Sequence, residues 1–265
     1  MIDIHSHLIP DFDDGPKSFE ESLELLRGAE KQGITEVFAT SHFNEIIPKH
    51  VELEYFEKLS QLRNLTEENK INIKIHSGAE IFYHHWVDNT VKSSKVTTLG
   101  NRGQYVLIEF PMYQMPSGAE EVLFRLKADN YIPVVAHAER YVAIIKNRRR
   151  ITNFIKYGGL LQLNAGSILG HFGKDIQKTA FYLLNNRLVH FVASDAHCPK
   201  TRPFLLQKVS EFLKNRIPFD YIEQLVYSNP KKVIDQELMD KVQISAKSKK
   251  VSILGMFKNR LKIYL

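Results

Sequence analysis

Cysteine is nearly absent from this chain of 265 residues, in which Cys198 is the only one. A single cysteine excludes an intramolecular disulfide and a thiolate-rich zinc or iron–sulfur site, and it predicts a reducing, cytoplasmic location. No stretch approaches 18 consecutive apolar residues, so no membrane-spanning helix is predicted, and the N-terminus does not resemble a cleaved leader. Hydrophobic residues make up 43% and charged residues 25%, which indicates an ordinary globular protein.

Acidic residues are missing from the C-terminal segment Lys241–Leu265, which carries seven Lys or Arg. This tail accounts for the net charge of +6, so the basic pI near 9.2 does not indicate nucleic-acid binding. We therefore divide the chain into one folded domain over residues 1–240 and a basic tail over residues 241–265. The tail mixes apolar and cationic residues, which predicts weak contact with a membrane surface. A packed or frayed C-terminal segment is the alternative.

Short β-rich runs alternate with segments of helical period, giving seven β–α units around one large core. Strands are predicted near Ile2–His5, Glu36–Ser41, Lys74–Glu80, Tyr105–Phe110, Ile132–His137, Leu160–Asn164 and Val189–Ser194. Helices are predicted near Ser18–Gln32, Val51–Asn69, Ser117–Asn130, Asn147–Gly158, Lys174–Asn186, Pro203–Asn215 and Phe219–Tyr227. The pattern alone leaves a closed barrel and a doubly wound sheet both open.

Histidine and acidic residues fall where the predicted strands end. These candidates are His5, His7, Asp14, His42, Glu80, Glu109, His137, Asp195 and His197. The carboxyl ends of barrel strands converge on one face, so we expect the nine side chains to form one site. Imidazole and carboxylate without thiolate suit manganese, iron or zinc, and nine side chains suffice for three ions. A lone histidine is more often a packed or solvated residue than a metal ligand, and we interpret the other six in that way.

Eight segments, in order, carry a resemblance to a known family. They are Ile2-Asp3-Ile4-His5-Ser6-His7, Asp13-Asp14-Gly15-Pro16, Thr40-Ser41-His42, Gly78-Ala79-Glu80-Ile81, Leu107-Ile108-Glu109-Phe110, Ala136-His137-Ala138-Glu139-Arg140-Tyr141, Ala193-Ser194-Asp195-Ala196-His197 and Ser228-Asn229-Pro230. The chain resembles the PHP (polymerase and histidinol phosphatase) superfamily, and more closely the bacterial tyrosine phosphatases encoded with capsule and exopolysaccharide genes. The resemblance implies a single α/β domain with a distorted (β/α)7 TIM-like barrel, the PHP fold.

A site for three divalent ions, with Mn²⁺ preferred and Fe or Zn possible, is also implied by the resemblance. Its ligand sets are His5, His7, Glu80 and Asp195 for the first ion, Glu80, Glu109 and His137 for the second, and Asp14, His42 and His197 for the third. Glu80 bridges two of them. Relatives acting on small phosphates often carry histidine at the positions of Glu109 and Asp14, so this chain fits the tyrosine phosphatase branch better.

The balance of charge between the predicted ions and carboxylates suggests the substrate and the reaction. Three divalent ions against four carboxylates leave an excess positive charge that matches a dianionic phosphate, and a hydroxide bridging two metals would attack phosphorus in line. Arg140 and Arg202 are the candidates for clamping the phosphoryl group, since a planar guanidinium matches phosphate at two points. Glu139 or a metal-bound water is the candidate proton donor. A cysteine phosphatase needs Cys-x5-Arg, but only three residues separate Cys198 from Arg202.

The function predicted is a metal-dependent phosphotyrosine-protein phosphatase acting on a bacterial tyrosine kinase that regulates capsule or exopolysaccharide synthesis. Its expected location is the cytoplasm, either free or at the inner face of the membrane, and no nucleic-acid partner is expected. A small-molecule phosphoesterase such as a histidinol phosphatase is the enzymatic alternative. The third possibility is a metal-stabilised scaffold that binds a membrane kinase without turnover.

Overall fold

The strands all run parallel and lie side by side in chain order, in a computed structural model that describes residues 1–44, 46–101 and 103–239. They are β1 (Ile2–Ser6), β2 (Glu36–Phe43), β3 (Lys74–Phe82), β4 (Tyr105–Glu109), β5 (Ile132–Val135), β6 (Leu160–Asn164) and β7 (Phe191–Ala193). Every strand end lies within two residues of its predicted position. The tail over residues 241–265 lies outside the described residues, so the division of the chain into barrel and tail stays a prediction.

Helices connect successive strands. They are α1 (Phe19–Lys31), α2 (Lys49–Glu68), α3 (Val87–Ser93), α4 (Ala119–Ala128), α5 (Val142–Lys146), α6 (Ile151–Lys156), α7 (Ala165–Leu169), α8 (Lys174–Asn185), α9 (Leu206–Leu213), α10 (Phe219–Glu223) and α11 (Asn229–Asp235). Ser18 caps α1 by accepting the backbone N–H of Glu21, and Gly33 follows the helix with φ +74°, as the sequence predicts. None of the helices in the described part of the chain has the length and apolar character that crossing a membrane requires.

The helix predicted over Asn147–Gly158 is wrong at its start, because the α-helix begins only at Ile151. A separate helix, α5, precedes it, and Asn147 adopts an extended conformation in which its side chain accepts the N–H of Arg149. This cap begins a 3₁₀ turn that leads into α6. The short helices α3, α7 and α11 were not predicted, because five to seven residues hold too little of the helical period to identify.

The barrel closes where β1 meets the end of β7. The N–H of Asp195 donates to the carbonyl of His5 over 2.9 Å, and the N–H of His7 donates to the carbonyl of Ala196 over 2.8 Å. The buried carboxylate of Asp3 adds to the closure by accepting the N–H of Ser194 at 2.9 Å. Contact between the first and last strands, with sequential order between them, is typical of a barrel and excludes a doubly wound sheet.

Apolar side chains fill the interior of the barrel below the candidate site. They include Ile2, Ile4, Phe38, Leu107, Val134 and Phe191, and the residues Val233 and Ile234 of α11 join them. Tyr105, the first residue of β4, donates its hydroxyl to the carbonyl of Glu237. The last described segment therefore covers the amino-terminal end of the barrel, whereas the polar candidates lie at the carboxyl-terminal end.

Candidate metal centre

The nine side chains proposed as ligands meet at the carboxyl-terminal end of the barrel. Their nitrogen and oxygen atoms form three groups in which all atoms lie within 4.8 Å of one another: His5, His7 and Glu80; His42, Glu80 and Glu109; and His7, Asp14, His42 and His197. His137 and Asp195 join through direct contacts with Glu80 and His5. The convergence of the nine residues follows from strand ends that the barrel brings together.

Backbone turns after β5 and β7 aim two of these side chains inward. His137 has φ +30° and Asp195 has φ +53°, both in the left-handed region that side chains with a Cβ seldom adopt. Such conformations each cost about 1–3 kcal/mol and are stable only where the surroundings hold them. The His137 N–H donates to the side chain of Gln162 at 2.9 Å, and the Asp195 N–H donates to the carbonyl of His5.

The first group has the spacing of a tetrahedral ion. His5 Nε2 and His7 Nε2 lie 3.4 Å apart, and both lie 3.2–3.4 Å from Glu80 Oε2. Asp195 Oδ1 lies 3.5 Å from His5 Nε2 and 3.6 Å from His7 Nε2. Two ligand atoms of a tetrahedral ion with bonds of about 2.1 Å are separated by about 3.4 Å. The spacing of the His5, His7 and Glu80 atoms therefore fits three ligands of one divalent cation, and Asp195 contacts both histidines of this group.

Glu80 connects this group to the next one. Its Oε2 faces His5 and His7, while its Oε1 lies 3.0 Å from His137 Nε2. Glu109 Oε1 lies 3.4 Å from the same His137 nitrogen. The two oxygens of the Glu80 carboxylate thus point to different sets of ligand atoms, which is the arrangement of a bridging carboxylate.

The third group forms the open edge of the site. Asp14 Oδ1 lies 3.1 Å from His197 Nε2 and 3.5 Å from His42 Nε2. His197 Nδ1 donates to the carbonyl of Asp195 at 2.9 Å, so its Nε2 is free to bind a metal. Although Asp14 lies close, no described residue makes a hydrogen bond with this buried Nε2, which leaves the nitrogen available to a cation.

Outer residues orient the imidazole rings. Asp13 Oδ2 lies 2.8 Å from His7 Nδ1, and Gln162 Oε1 lies 3.2 Å from His5 Nδ1. A carboxylate can only accept a hydrogen bond, so His7 carries its proton on Nδ1 and directs Nε2 into the site. Partners of this kind select the tautomer of ligating histidines and strengthen metal binding.

Buried charges in the site perturb its pKa values strongly. Burial alone would lower them, but the charges of Glu80 and Asp195 raise the pKa of His5 to about 9, and hydrogen bonds to Asp13 and Glu80 raise the pKa of His7 to about 10. Burial and the charge of Glu80 raise the pKa of Glu109 to about 8. His5, His7 and Glu109 therefore hold protons at neutral pH in the absence of cations, and a divalent cation would release these protons on binding.

The predicted arginines lie at the edge of the site. Arg202 donates to Asp195 Oδ2 at 2.8 Å, and Arg140 Nη1 lies 3.5 Å from the same oxygen. Glu139 is fully buried, and it accepts the backbone N–H of Asn164 at 3.0 Å. Burial raises the pKa of Glu139 to about 7. Cys198 makes a hydrogen bond with Thr201 in the turn that leads to Arg202.

Comparison with known proteins identifies the family of this chain. A family model described as capsular polysaccharide synthesis, CpsB/CapC, matches residues 1–235. The chain belongs to the CpsB/CapC family. The tyrosine-protein phosphatase YwqE of Bacillus subtilis (strain 168) is 36% identical over 208 residues, covering 78% of this chain and 82% of YwqE. The tyrosine-protein phosphatase CpsB of Streptococcus pneumoniae is 34% identical over 248 residues, covering 90% of this chain and all of CpsB.

A solved structure shows the same fold. It comes from crystal structures of YwqE from Bacillus subtilis and CpsB from Streptococcus pneumoniae, described as unique metal-dependent tyrosine phosphatases. It superimposes with a TM-score of 0.85 at 31% identity and covers 91% of this chain and 97% of the solved chain. The predicted PHP-type barrel is thereby confirmed for this member of the CpsB/CapC family.

Three residues that contact the candidate ligands were missed in the sequence of this CpsB/CapC protein. They are Asp13, Gln162 and Asn164, whose side chains bind His7, His5 and Asp195. Asp13 stands next to a predicted ligand, and that position was the available signal. Gln162 and Asn164 lie in β6, the strand without a predicted ligand, where polar residues at the end of an apolar strand were the only indication.

Proposed function

We propose that this protein is a metal-dependent phosphotyrosine-protein phosphatase. The observation that carries the proposal is the cluster of nine imidazole and carboxylate side chains at the open end of the barrel, seven of them in three adjoining groups and two, His137 and Asp195, in direct contact with those groups. Two arginines border the same groups. The relatives at 34% and 36% identity are named tyrosine-protein phosphatases, and together these observations favour hydrolysis of a phosphate monoester.

The proposed cofactors are three divalent ions, with Mn²⁺ preferred over Fe or Zn. Mixed imidazole and carboxylate ligands without thiolate suit all three metals, and a carboxylate with divergent oxygens suits a multinuclear site. When bound, such ions activate water as a nucleophile and neutralise charge on the phosphate oxygens. His5, His7, Glu80 and Asp195 would hold the first ion.

The roles proposed for the chain's other residues follow from their positions. Arg140 and Arg202 bind phosphate oxygens at the edge of the site, since both guanidinium groups reach the Asp195 carboxylate and remain partly exposed. Glu139 is the candidate proton donor because a pKa of about 7 keeps part of it protonated. Its burial restricts direct access to the leaving oxygen, and water is the alternative donor.

The natural substrate proposed is a phosphotyrosine protein, namely a tyrosine kinase of capsule or exopolysaccharide synthesis. The family description of capsular polysaccharide synthesis supports this assignment. We further propose a cytoplasmic enzyme whose basic tail contacts the anionic inner face of the membrane. The described chain ends at the side of the barrel opposite to the candidate site, so removal of the tail should leave catalysis intact.

The test is hydrolysis of a phosphotyrosyl peptide by protein stripped with chelator and then reloaded with Mn²⁺, Fe²⁺ or Zn²⁺. We expect activity only after reloading, and we expect Glu80→Gln to lose metal and at least 100-fold in rate, since it removes a ligand shared by two ions. The matched control is Glu57→Gln, the same change at an exposed position of α2.

Other outcomes would overturn the proposal. Faster turnover of histidinol phosphate than of the peptide would indicate the small-molecule phosphoesterase. Full metal loading without turnover of either substrate would indicate a scaffold. Wild-type rates in Glu80→Gln would contradict the site assignment.

A further inference from the structure

The candidate site is exposed to solvent at the side formed by Asp14 and His42. His5, His7, Glu80 and Asp195 are at most 3% exposed, whereas Asp14 is 59% and His42 is 35% exposed. A phosphate held among the buried ligands must therefore have its ester group directed toward the open edge. His42 stands at that edge, at the end of β2.

A cleft of about 340 Å³ adjoins the site, and His42 is the one candidate ligand that lines it. Its walls include Phe12 from the β1–α1 loop, Phe43 at the end of β2, and Ile47 and Val51 where α2 begins. Ile46, also in the lining, is 80% exposed. The cleft is larger than a phenyl ring and has apolar walls on several sides.

Charge at the rim of the cleft selects an uncharged occupant. Asp11 and Glu54 line it, and the Lys58 ammonium lies 2.9 Å from Glu54 and also binds the carbonyl of Asp11. Lys58 offsets the charge of Glu54, which leaves the charge of Asp11 to disfavour a second anion, such as an acidic side chain, at this rim. An apolar group attached to a phosphate on the metal side fits both the walls and the rim.

Another aromatic residue, Phe172, borders the site, but Arg140 already packs against its ring. The guanidinium of Arg140 lies 4.6 Å from the centroid of the Phe172 ring and covers one of its faces. A substrate ring seated there would compete with a residue that faces the phosphate. The cleft beside His42 offers apolar surface without that competition.

We propose that this cleft binds the aromatic ring of the phosphotyrosyl residue and thereby gives the site its preference for aryl over alkyl phosphates. The inference rests on the proposed function and adds specificity-determining residues to it. Phe12, Ile47 and Val51 contact the ring, while the candidate ligands and arginines hold the phosphoryl group. Ring burial contributes binding energy that an alkyl phosphate cannot obtain.

The test compares two non-hydrolysable phosphonates as competitive inhibitors of the Mn²⁺-loaded protein. Phenylphosphonate carries the ring and methylphosphonate does not. In the double variant Ile47→Ala/Val51→Ala we expect the inhibition constant of phenylphosphonate to rise roughly tenfold, because five apolar carbons are removed from the walls. Methylphosphonate should change less than about twofold. The matched control is Leu53→Ala, which removes an exposed apolar side chain of the same helix outside the cleft.

A filling variant gives an independent readout. Val51→Phe should raise the inhibition constant of phenylphosphonate and the KM for the phosphotyrosyl peptide. The inhibition constant of methylphosphonate and the metal content should stay at wild-type values. Equal changes for the two phosphonates in both variants would overturn the inference. If the variants raise the KM for the peptide but leave the inhibition constant of phenylphosphonate unchanged, the cleft holds a neighbouring residue of the peptide, and the inference is wrong. If wild-type protein hydrolyses no phosphotyrosyl peptide and neither phosphonate binds, the proposed function itself fails.

Discussion

Asp13 offers a sharp test of the outer layer of the candidate site. Its carboxylate accepts three N–H groups, those of His7 Nδ1 at 2.8 Å, the His42 backbone at 3.0 Å and the Gly15 backbone at 2.9 Å. The first two bind Oδ2 and the third binds Oδ1. Although burial opposes the charged form, the hydrogen bond and charge of His7 hold the pKa of Asp13 well below its usual range. The carboxylate is thus fully ionised at neutral pH.

The substitution Asp13→Asn replaces one of the two oxygens with an NH₂ group. If the NH₂ faces Gly15, it points at the backbone N–H of Gly15, so two hydrogen-bond donors face each other and neither has an acceptor. If it faces His7 and His42, His7 must accept on Nδ1 and carry its proton on Nε2, the atom that faces Glu80. Either orientation loses a hydrogen bond to a charged group, which contributes about 1.5–3 kcal/mol. We expect metal affinity to fall roughly 10- to 100-fold.

The measurement is activity on an aryl phosphate as a function of free Mn²⁺, together with the metal content after dialysis. Asp220→Asn is the matched control, because it makes the same change at an exposed position in α10, outside the candidate site and the cleft. The control should behave as wild type. A metal affinity and a rate in Asp13→Asn within twofold of wild type would refute the argument that Asp13 orients His7.

Two further predictions concern residues outside the proposed ligand set. Cys198→Ser should change activity less than twofold, because serine retains the hydrogen bond to Thr201, and a loss above tenfold would restore the cysteine mechanism. Burial lowers the pKa of His190 to about 4, so the unfolded chain binds a proton near pH 6.5 while the folded protein does not. The contribution of His190 to the free energy of unfolding should therefore be constant above pH 6.5 and fall by roughly 3 kcal/mol as the pH drops from 6.5 to 4. Urea unfolding of metal-free protein should show a smaller fall in His190→Gln, and an equal fall in both proteins would contradict the assignment.

The sequence by itself determined the strands and the nine candidate ligands. Strand ends are local features, since a run such as Tyr105–Glu109 has its period and its terminal carboxylate within a few residues. His5 and His7 belong together for the same local reason, because they lie two residues apart. The order of β and α segments also restricted the fold to parallel α/β classes. Helix ends with a local cap, such as Ser18, were equally predictable.

Only the tertiary structure decided which atoms meet. Closure of the barrel depends on contacts between β1 and β7, about 190 residues apart in the chain, as in the Asp3–Ser194 hydrogen bonds. The same folding brings Gln162 to His5 across 157 positions. The left-handed turn at Asp195, which aims its carboxylate into the site, is stable because distant neighbours hold it. Sequence patterns report local conformation and burial, whereas orientation of a ligand depends on partners that the chain brings together when it folds.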